Sequence, residues 1–407
     1  MTEVILLGST GSIGTQALDV VAAEGMSVRG LAAGGAEIGV LARQVAATSS
    51  PVVAVARKGA AAELREALTA VGHREPVEIL EGDDAARDLA ATARPGWRVL
   101  NGITGARGLE PTITALESGA TLALANKESL VAGGDLVRAA QRFPGQVVPV
   151  DSEHSAIAQA LRSGVHRRGM CATAPDGGAL DGCSEVHNLV LTASGGPFRG
   201  KKRAELSGVT AEQALAHPTW SMGPVVTLNS STLVNKGLEL IEAHLLFDVA
   251  PDDIIVTVHP QSIVHSMVEW RDGSTIAQVS PPDMRLPIAL GLTWPERRYP
   301  IPACDWSQPA TWTFEPVDDV TFPAIGIARE AVAASATHPA VLNAANEECV
   351  DAFLTGRISW LAIVETVAEV LGAHEGTPRG AATLDTVRAA EDWARRAARE
   401  SITREER

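Results

Sequence analysis

Cysteine is scarce in this chain. The four present, Cys171, Cys183, Cys304 and Cys349, are scattered and contain no C-x₂-C pair. That excludes a disulfide framework and fits a reducing compartment, so a cytoplasmic protein is expected. Long hydrophobic runs are missing too: no stretch approaches the ~20 apolar residues that span a bilayer. The opening "MTEVILLGST" has too short an apolar run and no basic flank to read as a secretory leader. Positive charge is in deficit, with 34 Lys and Arg against 49 Asp and Glu and a net charge of -15. Such a field repels phosphate backbones and argues against a nucleic-acid partner. The chain reads as an ordinary soluble protein.

At 45% hydrophobic and 20% charged, 407 residues read as globular and suggest two or three domains. In the first 150 residues short apolar runs alternate with Ala-rich helical stretches. Val4–Leu7, Val28–Leu31, Val52–Val55, Val99–Leu100, Thr121–Leu124 and Val147–Val150 read as strands, with helices such as Gln16–Ala23 and Ile38–Ala47 between them. That alternation predicts a parallel sheet covered on both faces. Residues 151–292 are more mixed. They hold a strand candidate, "NLVLTA", a helix candidate, "STLVNKGLELIEAHLLF", and two β-rich runs joined by Asp272-Gly273, a hairpin signal. Residues 293–323 are rich in Pro and Trp and read as a linker. Beyond them Ala324–Ala334, Pro339–Phe353, Trp360–Gly372 and Leu384–Glu400 predict a small helical bundle. The fold class expected is α/β: an N-terminal Rossmann-like domain (1–150), an α/β catalytic and dimerisation domain with a hairpin extension, and a C-terminal bundle (324–407).

"VILLGSTGSIG" is a strand, a glycine-rich turn and the start of a helix. Gly8, Gly11 and Gly14 permit the tight turn, and free N–H groups at the helix start suit a pyrophosphate. Thr10 stands where the usual G-x-G-x-x-G fingerprint has its middle glycine; the strand–turn–helix context favours a nucleotide over the alternative, a tight turn in some other α/β protein. The second strand ends "GLAAGGAE", without the acid that binds an NAD ribose, which leans toward NADP.

"VVPVDSEHSA" puts Asp151 and Glu153 at the end of a strand, two residues apart. Neighbouring acids raise the cost of ionising each other. A helix N-terminus, capped by Asp151 or Ser152 with Glu153 in the first turn, explains both without a ligand. In "NSSTLVNKGLELIEAHLLF", Asn235, Lys236 and Glu239 share one helix face. They suit a polar pocket, or else a solvated face with an ordinary ion pair. Ser230 and Ser231 at its start can cap the helix or hold an anion. "LTASGGPFRG" offers Ser194 and paired glycines after a strand, a backbone nest for anions. "AHPTWSMGP" sets His217, Trp220 and Met222 between two prolines, either a lid or a core-packing turn.

Taken together, "GSTGSIG", "LANKESLV", "VDSEHSA", "TASGGPFR", "HPTWSMG", "NSSTLVNKGLELIEA" and "HPQSIVHSMVEW" resemble, in order and across the chain, the 1-deoxy-D-xylulose 5-phosphate reductoisomerase family. The resemblance implies an NADPH-dependent enzyme of non-mevalonate isoprenoid synthesis. Such an enzyme rearranges its sugar phosphate by retro-aldol cleavage and re-addition, then reduces it to 2-C-methyl-D-erythritol 4-phosphate. It implies Asp151, Glu153 and Glu239 as ligands of one divalent metal, Mg²⁺ or Mn²⁺ with Co²⁺ as a further candidate. A cation turns their mutual repulsion into joint attraction. Lys127 would act in catalysis beside these three. Substrate would be held by Lys127, Ser152, Glu153, Ser194, His217, Ser230, Asn235, Lys236 and Glu239, with Trp220 closing over it. NADPH would contact Thr10, Gly11, Ser12 and Ile13, then Gly34, Gly35 and Ala36, and also Asn126, Glu128 and Gly223. A homodimer is implied, with the Val264–Ser280 hairpin extending a sheet across subunits.

Two departures from the pattern stand out. The family's second-strand loop usually carries a basic residue and Asn after its first Gly, where this chain has Gly35 and Ala36; the 2′-phosphate must find other donors. Residues 166–187 form a longer connection than usual, read as a solvent loop, since Cys171 and Cys183 are too far apart for a zinc site. Two rivals have discriminators. Another NADP-dependent dehydrogenase of a phosphorylated metabolite has no need of three carboxylates. A non-catalytic nucleotide sensor would be expected to lose some of Asp151, Glu153, Glu239, Lys127 and Lys236, and all five are present.

Overall fold

The computed structural model describes residues 2–171, 180–219 and 223–405. Two sheets organise them. The first takes β1 (Glu3–Leu7), β2 (Ser27–Ala33), β3 (Val52–Val55), β4 (Glu78–Glu81), β5 (Arg98–Asn101), β6 (Thr121–Leu124) and β7 (Val147–Pro149). The second takes β8 (Val186–Ala193), β9 (Ile254–Val258), β10 (Val264–Trp270), β11 (Thr275–Val279) and β12 (Glu315–Pro316).

The first sheet runs β4-β3-β2-β1-β5-β6-β7, and every pairing is parallel. Its strands are short runs of Val, Leu, Ile and Ala buried on both faces, as a sheet sandwiched by helices requires. The order reverses between β1 and β5, and in such sheets the crevice outside the carboxyl ends at that point is where ligands bind. The predicted strands lie where expected. The sequence reading passed over β4, "EILE", whose charged ends and half-buried middle belong to an edge strand.

At the β1 turn, Gly8 (φ 85°) faces the backbone of Gly102 after β5, and a Cβ there would sit 2.6 Å from the Gly102 oxygen. A Cβ on Gly14 would fall 2.3 Å from the Gly8 oxygen and 2.5 Å from Ser9 Cα. Gly11 has room. Gly8 is therefore demanded by the close approach of the chain after β5, Gly14 by the seating of helix Ser12–Ala23 against the turn, and a Cβ on Gly11 would meet only the Gly8 oxygen at 3.4 Å. Gly14→Ala should destabilise the chain by about 1–3 kcal/mol through backbone overlap. A thermal melt would register it, and an unchanged melt would refute the packing assignment.

The second sheet, β11-β10-β8-β9-β12, is mixed: only β8 and β9 run parallel. The hairpin β10–β11 is antiparallel as expected, but its turn spans Arg271 to Ser274 rather than Asp272-Gly273 alone. β12 arises within 293–323 and pairs with β9. Helix Arg285–Thr293, which runs past the boundary expected at 292, returns to the first sheet, where Ile288, Ala289 and Leu292 join the core beside Ala123 and Val150.

Residues 166–171 correct the solvent-loop reading. His166 is buried, bonding Ser184 Oγ (2.9 Å) and the Phe247 oxygen (2.7 Å). Met170 and Cys171 lie in the main core, their amides donating to the Leu246 oxygen. A trimming that begins at Met170 would cut into that core. Residues 172–179 lie outside the described residues. All four cysteines are free thiols.

The C-terminal helices Ala324–Ala334, His338–Leu354, Trp360–Gly372 and Leu384–Glu405 match the expected bundle. They brace the region between the sheets. Asn346 donates to Asn229 (2.9 Å) and Trp360 Nε1 to Ser231 Oγ (2.9 Å), both contacts reaching helix Pro224–Ser231. Among the described residues no helix is long and apolar enough to cross a membrane.

Candidate active site

Three elements deliver the carboxylates. Asp151 follows β7 and caps helix Ser152–Ala160, its Oδ1 accepting from the Glu153 amide (3.2 Å), so the capping account of these acids holds locally. Glu239 comes from helix Val234–Phe247. One carboxylate oxygen from each of Asp151, Glu153 and Glu239 lies within 4.8 Å of the other two. Capping and clustering therefore coexist.

The helix behind Glu239 differs from the sequence reading. Ser230 and Ser231 end the preceding helix Pro224–Ser231, and the chain breaks at Leu233, whose φ is 59°. They do not cap the helix of Glu239. The break turns Asn235, Lys236 and Glu239 inward. Lys236 is 5% exposed and Glu239 1%, which rules out the solvated-face alternative.

Two ammonium groups neutralise the acids. Lys127 Nζ lies 2.8 Å from Asp151 Oδ2 and donates to Glu239 Oε1 and Asn235 Oδ1, both at 3.0 Å. Lys236 Nζ donates to Glu153 Oε1 at 2.7 Å and also pairs with Glu239 Oε2. Burial alone would lower both lysine pKa values; Asp151 and Glu239 around Lys127, and Glu153 and Glu239 around Lys236, raise them instead. Burial pushes Glu153 up to about 7, Glu239 beside it adds to the rise, and Lys236 opposes it. Asp151 moves the other way: burial would raise it, but Lys127 and His154 hold it well below the usual carboxylate range.

His154 and Glu242 were not singled out in the sequence and prove central. His154 is fully buried beneath the acids. Its Nε2 sits 2.8 Å from the Glu239 backbone oxygen, and its Nδ1 lies 3.1 Å from Glu242 and 3.3 Å from Asp151. Oxygen atoms thus face both ring nitrogens. Burial would lower its pKa, but Glu242 and Asp151 outweigh it and lift the ring to about 9. Asp151, His154 and Glu242 also cluster within metal-binding distance, but His154 and Glu242 are wholly buried, at 0% and 1% exposed. The all-oxygen trio above it suits a hard divalent ion, Mg²⁺ or Mn²⁺. The missed signal was spacing: His154 is three residues from Asp151, and Glu242 three from Glu239.

These groups line a cavity of about 550 Å³ that opens toward the glycine turn. Lys127, Asp151, Ser152, Glu153, Ser194, His217, Ser230, Asn235, Lys236 and Glu239 all reach it, as do Ser12, Ile13 and Gly223. His217 Nδ1 accepts from the Thr219 amide (3.1 Å), leaving its Nε2 to donate toward Ser194 Oγ (3.0 Å). Burial lowers the His217 pKa, in keeping with a neutral ring. After β8, Gly195 and Gly196 take φ of 86° and 66°, and the Gly196 amide donates to Ser194 Oγ (3.3 Å). Not every expected residue converges here. Thr10 and Gly11 belong to the β1 turn at its rim. Asn126 is buried, capping helix Lys127–Ala140 by accepting from Ser129 and donating to Gly105 and Glu128. Gly34 lines a second cavity, with Gly35 and Ala36 beside it in the chain. Trp220 and Met222 lie outside the described residues.

The carboxylate cluster carries a pH expectation. A cation must displace the proton of Glu153, whose pKa is near 7, so metal affinity should fall by about tenfold per pH unit below that value. Titrating Mn²⁺ binding from pH 8 down to pH 6 checks it, and a flat profile would contradict the cluster as a metal site.

A parallel sheet with a glycine turn at its switch point, facing an acidic and ammonium-lined cavity, defines a dinucleotide-dependent enzyme for an anionic substrate. Comparison makes the class specific. Residues 4–134 match the family model "1-deoxy-D-xylulose 5-phosphate reductoisomerase", 147–247 the C-terminal domain of that name, and 279–397 "DXP reductoisomerase C-terminal domain". The chain is 63% identical over 398 residues to the reductoisomerase of Beutenbergia cavernae, covering 96% of this chain and 95% of that one. It is 55% identical over 423 residues to that of Cutibacterium acnes, covering 99% of each. The solved Zymomonas mobilis enzyme with NADPH superposes with a TM-score of 0.84 at 35% identity, over 98% of both chains. A second solved structure, DOX-P reductoisomerase with NADPH, fosmidomycin and magnesium, gives 0.85 at 31%, over 99% of this chain and 98% of that one. The chain belongs to the 1-deoxy-D-xylulose 5-phosphate reductoisomerase family.

Proposed function

We propose that the chain converts 1-deoxy-D-xylulose 5-phosphate to 2-C-methyl-D-erythritol 4-phosphate, using NADPH and one divalent cation. The observation that carries this reading is the meeting of Asp151, Glu153 and Glu239 with Lys127 and Lys236 in a cavity that opens beside the glycine turn. Simple hydride transfer needs no such trio of acids. The bound cation supplies Lewis-acid polarisation of the substrate's ketone and hydroxyl oxygens, and NADPH supplies the hydride.

The remaining work falls to the chain's own groups. Asp151, Glu153 and Glu239 hold the cation. Lys127 faces the same oxygens and stabilises negative charge as it develops on them. Ser194, the neutral His217 and Ser230 hold the phosphate of the substrate, while Ser152, Asn235 and Lys236 orient it. Trp220 closes over the bound ligand. Thr10, Gly11, Ser12 and Ile13 receive the NADPH pyrophosphate, with Asn126, Glu128 and Gly223 toward its nicotinamide end and Gly34, Gly35 and Ala36 toward its adenosine.

The division of labour we infer gives residues 1–150 to the cofactor and 151–292 to catalysis and dimer formation. Residues 293–323 link them to a bracing bundle, 324–407. The protein works in the cytoplasm as a homodimer, the arrangement supported by its family membership and its sparse free thiols. The decisive assay follows NADPH oxidation on adding 1-deoxy-D-xylulose 5-phosphate, with and without chelator. Turnover should be strictly substrate-dependent, vanish with EDTA and return with Mg²⁺ or Mn²⁺. Chelator-insensitive oxidation would sink the metal-dependent reading.

A further inference from the structure

After β2 come Gly34, Gly35 and Ala36, which offer no side-chain donor for a 2′-phosphate, and the first acid, Glu37, is already the N-cap residue of helix Ile38–Thr48. The structure fills that gap from the next strand. Arg57, just past β3, donates its amide to the Gly34 oxygen (3.1 Å) and its Nε to the Gly35 oxygen (2.9 Å). Its guanidinium is thereby laid along the loop. Gly35 has a φ of 96°, and a Cβ there would meet Arg57 Cβ at 2.9 Å. Only glycine lets the arginine lie so close, so the bare loop and Arg57 are two halves of one arrangement.

Beside them is a cavity of about 360 Å³, separate from the acidic one. Gly34, Arg57, Lys58 and Arg107 line it, Arg107 arriving from the turn after β5. One acid, Asp83, shares the cavity and lies 3.7 Å from Lys58. Arg57 itself is held by Glu63 in a two-pronged pair (2.8 and 2.6 Å), both partners substantially exposed. Arg107 has no side-chain hydrogen bond or ion pair among the described residues. Arg57, Lys58 and Arg107 outnumber Asp83 in the cavity and Glu63 beside it, and at the end of β2, where a dinucleotide's adenosine ribose sits, they make a receptor for an anion.

We propose that Arg57, with Arg107 across the cavity, reads the 2′-phosphate that separates NADPH from NADH in this chain, an inference that rests on the cofactor reading above. The exposed pair with Glu63 is weak enough to exchange for a phosphate, because solvent-exposed ion pairs contribute little. A merely structural Arg57–Glu63 pair would need neither the cavity nor Arg107 facing into it. The basic residue expected on the loop itself is thus replaced by one from the neighbouring strand, and NADP preference need not be small.

Binding, not turnover, tests this. Full-length wild type, Arg57→Ala and Arg107→Ala are titrated with NADPH and NADH, and with 2′,5′-ADP and ADP as fragments lacking nicotinamide. Wild type should bind 2′,5′-ADP more tightly than ADP. Arg57→Ala should weaken NADPH and 2′,5′-ADP by about 10- to 100-fold, the range for hydrogen bonds to charged groups. NADH and ADP should stay within about twofold, which also certifies the fold, and Arg107→Ala should show the same pattern with a smaller loss. Equal losses for the phosphorylated and unphosphorylated ligands, or no loss for either, would overturn the assignment. Failure of wild type to bind either dinucleotide would instead remove the cofactor reading beneath it.

Discussion

Glu239→Gln should leave a folded protein whose kcat/KM is lower by about 10²–10³-fold, the range typical when one preorganised electrostatic group is lost from an active site. The size of the effect follows from position. Glu239 is the one acid of the trio that contacts both ammonium groups, and it is almost wholly buried. Glutamine keeps the shape and the polar contacts but removes the charge that draws a divalent ion. Stability should change little. When Glu239 loses its charge, Lys127 keeps Asp151 as its partner and Lys236 keeps Glu153. Mn²⁺ affinity, a thermal melt and steady-state kinetics together decide the matter. Wild-type turnover at low Mg²⁺ would end the metal assignment, and a collapse of the melt would show that Glu239 acts chiefly in folding.

The sequence displayed most of this site because its chemistry depends on local spacing. Asp151 and Glu153 sit at the end of a strand, and Asn235, Lys236 and Glu239 share a helical face; those relations survive folding unchanged. The glycine turn was legible for the same reason, since Gly8 and Gly14 answer backbone contacts within a few residues or one strand away. The features that escaped are set by distant parts of the chain. Leu233 adopts a left-handed conformation, which local pattern assigns to glycine or asparagine, so one helix was read where two exist. Helix Arg285–Thr293 packs back on the first sheet, a choice made by Ala123 and Val150 more than 120 residues earlier. β4 lacked the apolar alternation of its neighbours because it is an edge. Met170 and Cys171 looked like part of a loop and are core, because the carbonyl of Leu246 holds them there.

His154 and Glu242 belong between these cases. Their spacing from Asp151 and Glu239 was visible, but nothing local indicated that the two helices face each other. Once they do, the fully buried His154 ring fixes Asp151 and the backbone of Glu239 from below. The trio is thereby kept assembled, and Asp151 is kept ionised.

The same reasoning gives Lys127→Met an unusual signature. In the structure Lys127 occupies the space between Asp151 and Glu239 and neutralises both. Deleting its charge leaves two buried carboxylates short of a partner, an error that costs about 3–5 kcal/mol when buried pairs are broken. The metal-free variant should therefore melt well below wild type. A divalent ion can replace the lost charge, and Lys127 no longer competes with it, so Mn²⁺ should bind the variant at least as tightly as wild type. Added metal should then restore the melt, as ligand linkage requires. It should not restore catalysis. If Lys127 stabilises the charge that develops on substrate oxygens, kcat should remain lower by about 10²–10³-fold at saturating metal. The two readouts separate two roles. Recovery of kcat together with the melt would make Lys127 a mere counter-ion for the empty cluster. A restored melt beside a persistent loss of kcat would place its ammonium among the groups that act on the substrate.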